Sequence, residues 1–434
     1  MEKISQGMES VGWRREVGVR SAGKTVKGDG LLFFLCLCTP AVWACGQGSP
    51  SHADAFVVRD SAGVTLVESR EPAWSQEDGW SLGAEPRLRI GQIEGDPAHL
   101  FSEIVGVVGM DDGTILVGDF GSQEIRLFDG EGGHLKTVGR KGAGPGEFTG
   151  ISAMGPGPNG LAWIYDFSLR RLTWLDSRGQ VVRLTTLAPE PPMLQPVGPL
   201  PDGTFVFREL WAAAAVAEAR DAGFRRDPIA YVRFDSAGVL VDTLGVFPGR
   251  EVFLSQEEGR GVMGTPLFGR TSSGAIWRGG VAVGSQVTFE IELWGPEGGL
   301  RRMVRLPDRD LRLPPAEVEA YIDLRVGMAE EGERARVRRE MEAMPVPDSH
   351  PAYGELRGDL LGNLWVSAFA PFPKIPGSWS VLDPEGRWLG EVSMPEGFYP
   401  RDFGPDWVLG TETDEMDVTY VVLYPLSRST GSGD

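Results

Sequence analysis

The chain has 434 residues, of which 60 are Gly and 32 Pro, with 9% aromatic side chains and a formal net charge of −19. So acidic a balance argues against nucleic acid and anionic lipid surfaces as partners, because phosphate binding is driven by Lys and Arg. Cysteines occur only at Cys36, Cys38 and Cys45, so beyond residue 45 neither a disulfide framework nor a cysteine metal site can form.

The first element in chain order is an export signal. Residues 31–44 read Leu31-Leu-Phe-Phe-Leu-Cys-Leu-Cys-Thr-Pro-Ala-Val-Trp-Ala44, an uncharged apolar run behind Arg14, Arg15, Arg20, Lys24 and Lys27. The run is too short to span a bilayer and has the basic-then-apolar order of a secretory leader. Val42 and Ala44 place small residues ahead of Cys45. The stretch resembles a bacterial lipoprotein signal, which implies cleavage before Cys45 and lipidation of its sulfur; plain secretion is the alternative. On this reading residues 1–45 are signal, 46–85 a linker with an extra hairpin at 57–67, 86–426 the folded domain, and 427–434 a flexible tail. The expected location is the cell envelope or periplasm, with membrane contact only through the anchor.

From residue 104 onward one phrase recurs: a turn with Gly or Asp, about six residues of strand, a second strand, then a hairpin. Leu116-Val-Gly-Asp119 precedes Ile125-Arg-Leu-Phe-Asp129, and Trp163-Ile-Tyr-Asp166 precedes Leu172-Thr-Trp-Leu-Asp176. Phe205-Val-Phe-Arg208 and Tyr231-Val-Arg-Phe-Asp235 repeat it, as do Leu364-Trp-Val-Ser367 and Trp379-Ser-Val-Leu-Asp383. A tandem sheet unit that cannot bury its faces alone predicts an all-β, six-bladed β-propeller with four-stranded antiparallel blades. The blades are expected at 104–139, 150–187, 196–246, 266–306, 353–394 and 398–426. The loop from Val138 to Phe148 has a looser echo at 90–101, so residues 86–91 are expected to supply the outermost strand of blade six and close the ring.

Gly142-Ala-Gly-Pro-Gly-Glu-Phe148, with Asp112-Gly-Thr-Ile-Leu-Val-Gly-Asp119 and Ile125-Arg-Leu-Phe-Asp129, resembles the NHL repeat. The chain from about residue 55 is similar to bacterial secreted six-bladed propellers built on that repeat. The resemblance implies a fold and leaves the chemistry open, since such propellers include binding scaffolds, lactonase-like hydrolases and lyases.

In a four-stranded antiparallel blade, the loop between second and third strands and the connection to the next blade emerge on the same side. The long departures from the repeat all fall there. They are 210–222, rich in helix formers, 370–377, and 314–350, where Pro314-Pro315 starts a helix that Gly327 and Gly332 interrupt. Insertions on one face of a rigid scaffold predict that this face carries recognition, of a protein or glycan of the envelope.

Counting six residues from each turn glycine brings Asp119, Asp166 and Glu209, with Glu412 in blade six, to that same mouth. Carboxylates from several blades there are candidates to hold a divalent cation such as calcium, in the manner of metal-dependent lactonases. The competing expectation is that Asp119 and Asp166 satisfy backbone groups of nearby turns. Arg208, Trp211, Arg225 and Arg226 form the best mixed cationic and aromatic cluster for an acidic or sugar-like ligand. His52, His99, His134 and His350 are too scattered to nominate a zinc site or a triad, and the glycine-rich loop at Arg140 and Lys141 lacks the context of a phosphate loop. The sequence therefore favours an exported binding or scaffold protein, with a metal-dependent lactonase-like hydrolase as the alternative.

Overall fold

The computed structural model describes residues 55–75, 78–210, 223–257 and 260–428. Cys45 and the export signal, Trp211 and the helix-forming stretch that ends at residue 222 lie outside them.

Six antiparallel sheets form a six-bladed propeller. The blades span Ile104–Val138, Ile151–Thr186, Leu194–Pro248, Ser273–Arg305, Leu356–Ser393 and Phe398–Ser427. Strand alternation explains how they hold together, since successive side chains point to opposite sheet faces and hence to opposite neighbours. Ile115 and Val117 pack with Leu409 and Val421 of blade six, whereas Leu116 between them packs with Ile151 and Ile164 of blade two. Each blade–blade interface has its own buried cluster of this kind.

The recurrent Asp that follows the third strand of blades one, two, three and five is a turn device. Asp129 accepts from the N–H groups of Glu131 and Gly133, Asp176 from Arg178 and Gln180, Asp235 from Ala237 and Val239, and Asp383 from Glu385 and Arg387. A short acceptor side chain thereby replaces ladder partners that a tight turn cannot supply. The glycine three residues on adopts the left-handed conformation the turn needs, as at Gly132 with φ 87°.

Residues ahead of blade one form a belt around the rim. The hairpin Phe56–Ser61 and Val64–Ser69 adds to the outer edge of blade four, with Val64–Ser69 running parallel to Leu300–Arg305. The chain then passes blade five, where Ala73 and Trp74 donate to the carbonyls of Trp388 and Leu389. Leu88–Ile90 pairs with Val421, Val422 and Leu423 and completes blade six, burying Leu88 and Ile90.

Two α-helices occur among the described residues, Pro315–Gly327 and Arg334–Glu342. Both lie in the connection from blade four to blade five. Blade four itself begins at Ser273, later than the expected 266, because Leu267 and Phe268 leave the ring to pack against Tyr321, Ile322 and Met341. Phe369 of the loop in blade five joins this cluster, and the Tyr321 hydroxyl donates to the Phe372 carbonyl at 2.9 Å. A small sheet formed by Gly223–Arg225, Val252–Glu257 and Arg260–Gly264 belongs to loops on the same side. Together they form a cap with its own apolar core on one face of the disc.

Candidate functional site

The four acids expected at the mouth are each engaged locally. Asp119 is fully buried and accepts from Ser102 N at 3.1 Å, Ser102 Oγ at 2.8 Å and Gly121 N at 2.9 Å, with Arg126 at 3.7 Å. Asp166 does the same in blade two, accepting from Thr149 N at 2.7 Å, Gly150 N at 3.2 Å and Leu169 N at 2.9 Å. Each carboxylate thus ties the segment entering its blade to the turn leaving the second strand. Glu209 accepts from Ala230 N at 2.9 Å. Glu412 turns toward the outer strands, where it meets Arg89 at 3.0 Å and the Tyr424 hydroxyl at 2.7 Å. Among the described residues no three His, Cys, Asp or Glu side chains are grouped to hold a metal ion.

Blade five performs the same tie with a different residue, since Ser367 Oγ accepts from Glu355 N at 2.8 Å. Counting from Gly362 to Ala368 overshoots it by one position. In blade four the turn glycine is Gly279, with φ 70°, and the second strand follows as Gly280–Gly284.

The expected ligand arginines serve as struts. Arg208 is held by the Gln195 side chain at 3.0 Å and by the Ser272 carbonyl, Arg226 by the carbonyls of Gly249 and Ser285, and Arg225 by Asp227 at 2.8 Å. Arg208 and Arg226 link blade three to blade four and to the cap connections, whereas Arg225 pairs within its own segment.

A different set of charges lies on the innermost strands. The innermost strands of blades one to four, Ile104–Gly109, Ile151–Pro156, Leu194–Pro199 and Ser273–Trp277, contain no charged residue. Those of blades five and six contain Arg357, Arg401 and Asp402. Because the cap connection runs directly into Leu356–Gly358, these strands start at the capped face, and Glu355 sits at their rim.

Arg357 donates to Glu355 at 2.9 Å and to the Arg401 carbonyl at 3.1 Å. The Tyr399 hydroxyl donates to the other Glu355 oxygen, and the Arg401 guanidinium lies 4.6 Å from the centre of the Tyr399 ring. Among the described residues nothing accepts a hydrogen bond from Arg401, and its Nε is buried without a partner. Burial first, and then the like charge of Arg357, depress the Arg401 pKa. Burial would raise Glu355, but Arg357 and the Tyr399 hydroxyl hold it below the usual carboxylate range. Protein surrounds the group on most sides, yet the Glu355 and Arg357 side chains keep 48% and 29% of their surface in reach of water. That combination marks a cluster open to water on one side.

Fold and geometry together define a six-bladed propeller with one capped face and a charged cluster at the mouth beneath it. No protein-family model matches the chain, and no curated protein does. Solved structures similar to it include a DUF4221 family member from Bacteroides vulgatus, 12% identical over 81% of this chain and 100% of that one, with a TM-score of 0.46. A putative exported protein from Bacteroides fragilis is 10% identical over 84% of this chain and 99% of that one, TM-score 0.45. A gluconolactonase from Xanthomonas campestris is 13% identical over 75% and 87%, TM-score 0.38. No helix among the described residues is long and apolar enough to cross a membrane.

Proposed function

We propose that this chain is an exported binding or scaffold protein of the cell envelope, anchored through lipidated Cys45, that engages its ligand or partner at the capped mouth. One observation carries the reading: separate departures from the repeat converge on one face and order themselves around Phe268, Tyr321, Ile322 and Met341. Ordering so much connecting chain costs conformational entropy that six closed blades do not require. The cap also leaves Met328 and Phe372 largely exposed, at 55% and 68%. The hydrolase alternative needs free mouth carboxylates, and Asp119 and Asp166 spend theirs on backbone N–H groups.

The test uses Phe372→Asp combined with Met328→Asp, two exposed positions whose change leaves the ring intact. Made without the lipid anchor, as Cys45→Ser, the doubly substituted chain is expected to keep the melting temperature of the otherwise unaltered Cys45→Ser chain and to lose that chain's retention on isolated cell-wall material of the producing cells. Equal retention by both proteins contradicts the proposal.

A further inference from the structure

We infer that the channel mouth at Arg401 and Arg357 binds a small oxyanion, the carboxylate or phosphate group of a low-molecular-weight ligand. The inference rests on the capped mouth being the recognition face and adds the chemical class of what enters it.

Arg401 is the centre of the argument. A guanidinium packed within protein ordinarily finds an acceptor, because an unpaired buried charge is costly. Here Glu355 is committed to Tyr399 and Arg357, and the part-exposed Arg401 lies against the Tyr399 ring with its Nε buried and unmatched. Two guanidinium groups face one carboxylate, a local positive excess inside a chain whose net charge is −19. Charge on the inner strands is confined to blades five and six, so the cluster is a local construction and not a property of the ring. A planar guanidinium fork matches the two oxygens of a carboxylate or phosphate, and stacking on an aromatic ring fixes its plane while leaving its edge available. The Glu355 and Arg357 side chains are in contact with water, so the cluster is open to solvent.

Glu355 makes the inference specific. It competes with any incoming anion, so removing its charge should strengthen binding, whereas a purely structural cluster would gain no affinity for anything. The experiment measures the melting temperature of the full mature chain in succinate and in inorganic phosphate, each against chloride at equal ionic strength. A ligand that binds only the folded state raises that temperature. The wild type is expected to be stabilised by at least one of the two, the active one identifying the group recognised. Arg401→Gln should weaken the effect by about tenfold or more in concentration, and Glu355→Gln should enlarge it. No shift in the wild type with either anion, or an equal shift in Arg401→Gln, overturns the inference. If Arg401→Gln does not fold, Glu355→Gln decides alone, and a shift no larger than in the wild type refutes the site. Failure of both anions while the Phe372 and Met328 variant still loses envelope retention would remove the oxyanion and leave the capped-face reading standing.

Discussion

Replacing Asp119 by alanine removes a buried acceptor shared by several donors of the exposed residues Ser102 and Gly121. The carboxylate is fully buried, and its shortest bonds come from Ser102 N, Ser102 Oγ and Gly121 N at 2.8 to 3.1 Å. A buried donor left without a partner costs about 1–3 kcal/mol. Ser102 and Gly121 are exposed, so water replaces part of what the carboxylate supplied, and the expected cost is about 1–3 kcal/mol in all, including the loss at Arg126, whose guanidinium lies 3.7 Å away. The assay is urea unfolding followed by tryptophan fluorescence, with calcium present and absent. A cation site implies the opposite sign in the absence of metal, because removing one of several mutually repelling carboxylates relieves the apoprotein. A loss below about 1 kcal/mol, or a metal-free Asp119→Ala chain more stable than wild type, refutes the structural role. Calcium, magnesium and manganese are expected to leave the wild-type curve unmoved.

Burial pushes the Asp402 carboxyl up to about 6. Its contribution to stability is full below the ordinary carboxylate range and is lost as pH rises through 6, so between pH 4 and 7 the wild type should lose about 2 kcal/mol relative to Asp402→Asn. A difference between the two that does not vary with pH excludes the effect. Ile90→Ala, which opens a cavity where the ring closes, is expected to cost about 2–4 kcal/mol in urea unfolding; a negligible cost would mean that the closing strand contributes little. Cys45→Ser should move the protein from the membrane to the soluble fraction, and unchanged membrane association would rule out the lipid anchor.

Much of the ring is legible in the sequence because each blade repeats the same local necessities. An Asp followed three residues later by Gly marks the hairpins, and Val and Ile alternation marks strands that feed two neighbours. The helix starting after Pro314 and the pause between Gly327 and Gly332 are legible for the same reason, since proline and glycine act locally. The mouth is different. An Asp at the end of a second strand has the same sequence appearance whether it binds a cation or ties two loops, and only the positions of Ser102 N and Thr149 N separate the roles. Arg357, Tyr399 and Arg401 escape notice because the innermost strands they lie on share no fixed residue pattern with those of the other blades. The available signal was charge, namely arginines in segments whose counterparts in four other blades are uncharged. The hairpin at the amino end joins blade four by parallel pairing with a strand more than 230 residues later, a contact no local pattern encodes.

The central claim is that recognition belongs to the capped face. Ile375 lies in the cap loop of blade five, 38% exposed, and Leu360 lies in the turn on the opposite face of the same blade, 51% exposed. A photo-crosslinking side chain placed at each position in turn, and irradiated in the cells that make the protein, compares the two faces within one blade. Adducts at position 375 with none at 360 are expected. Adducts at 360 alone, or at both positions equally, contradict the claim.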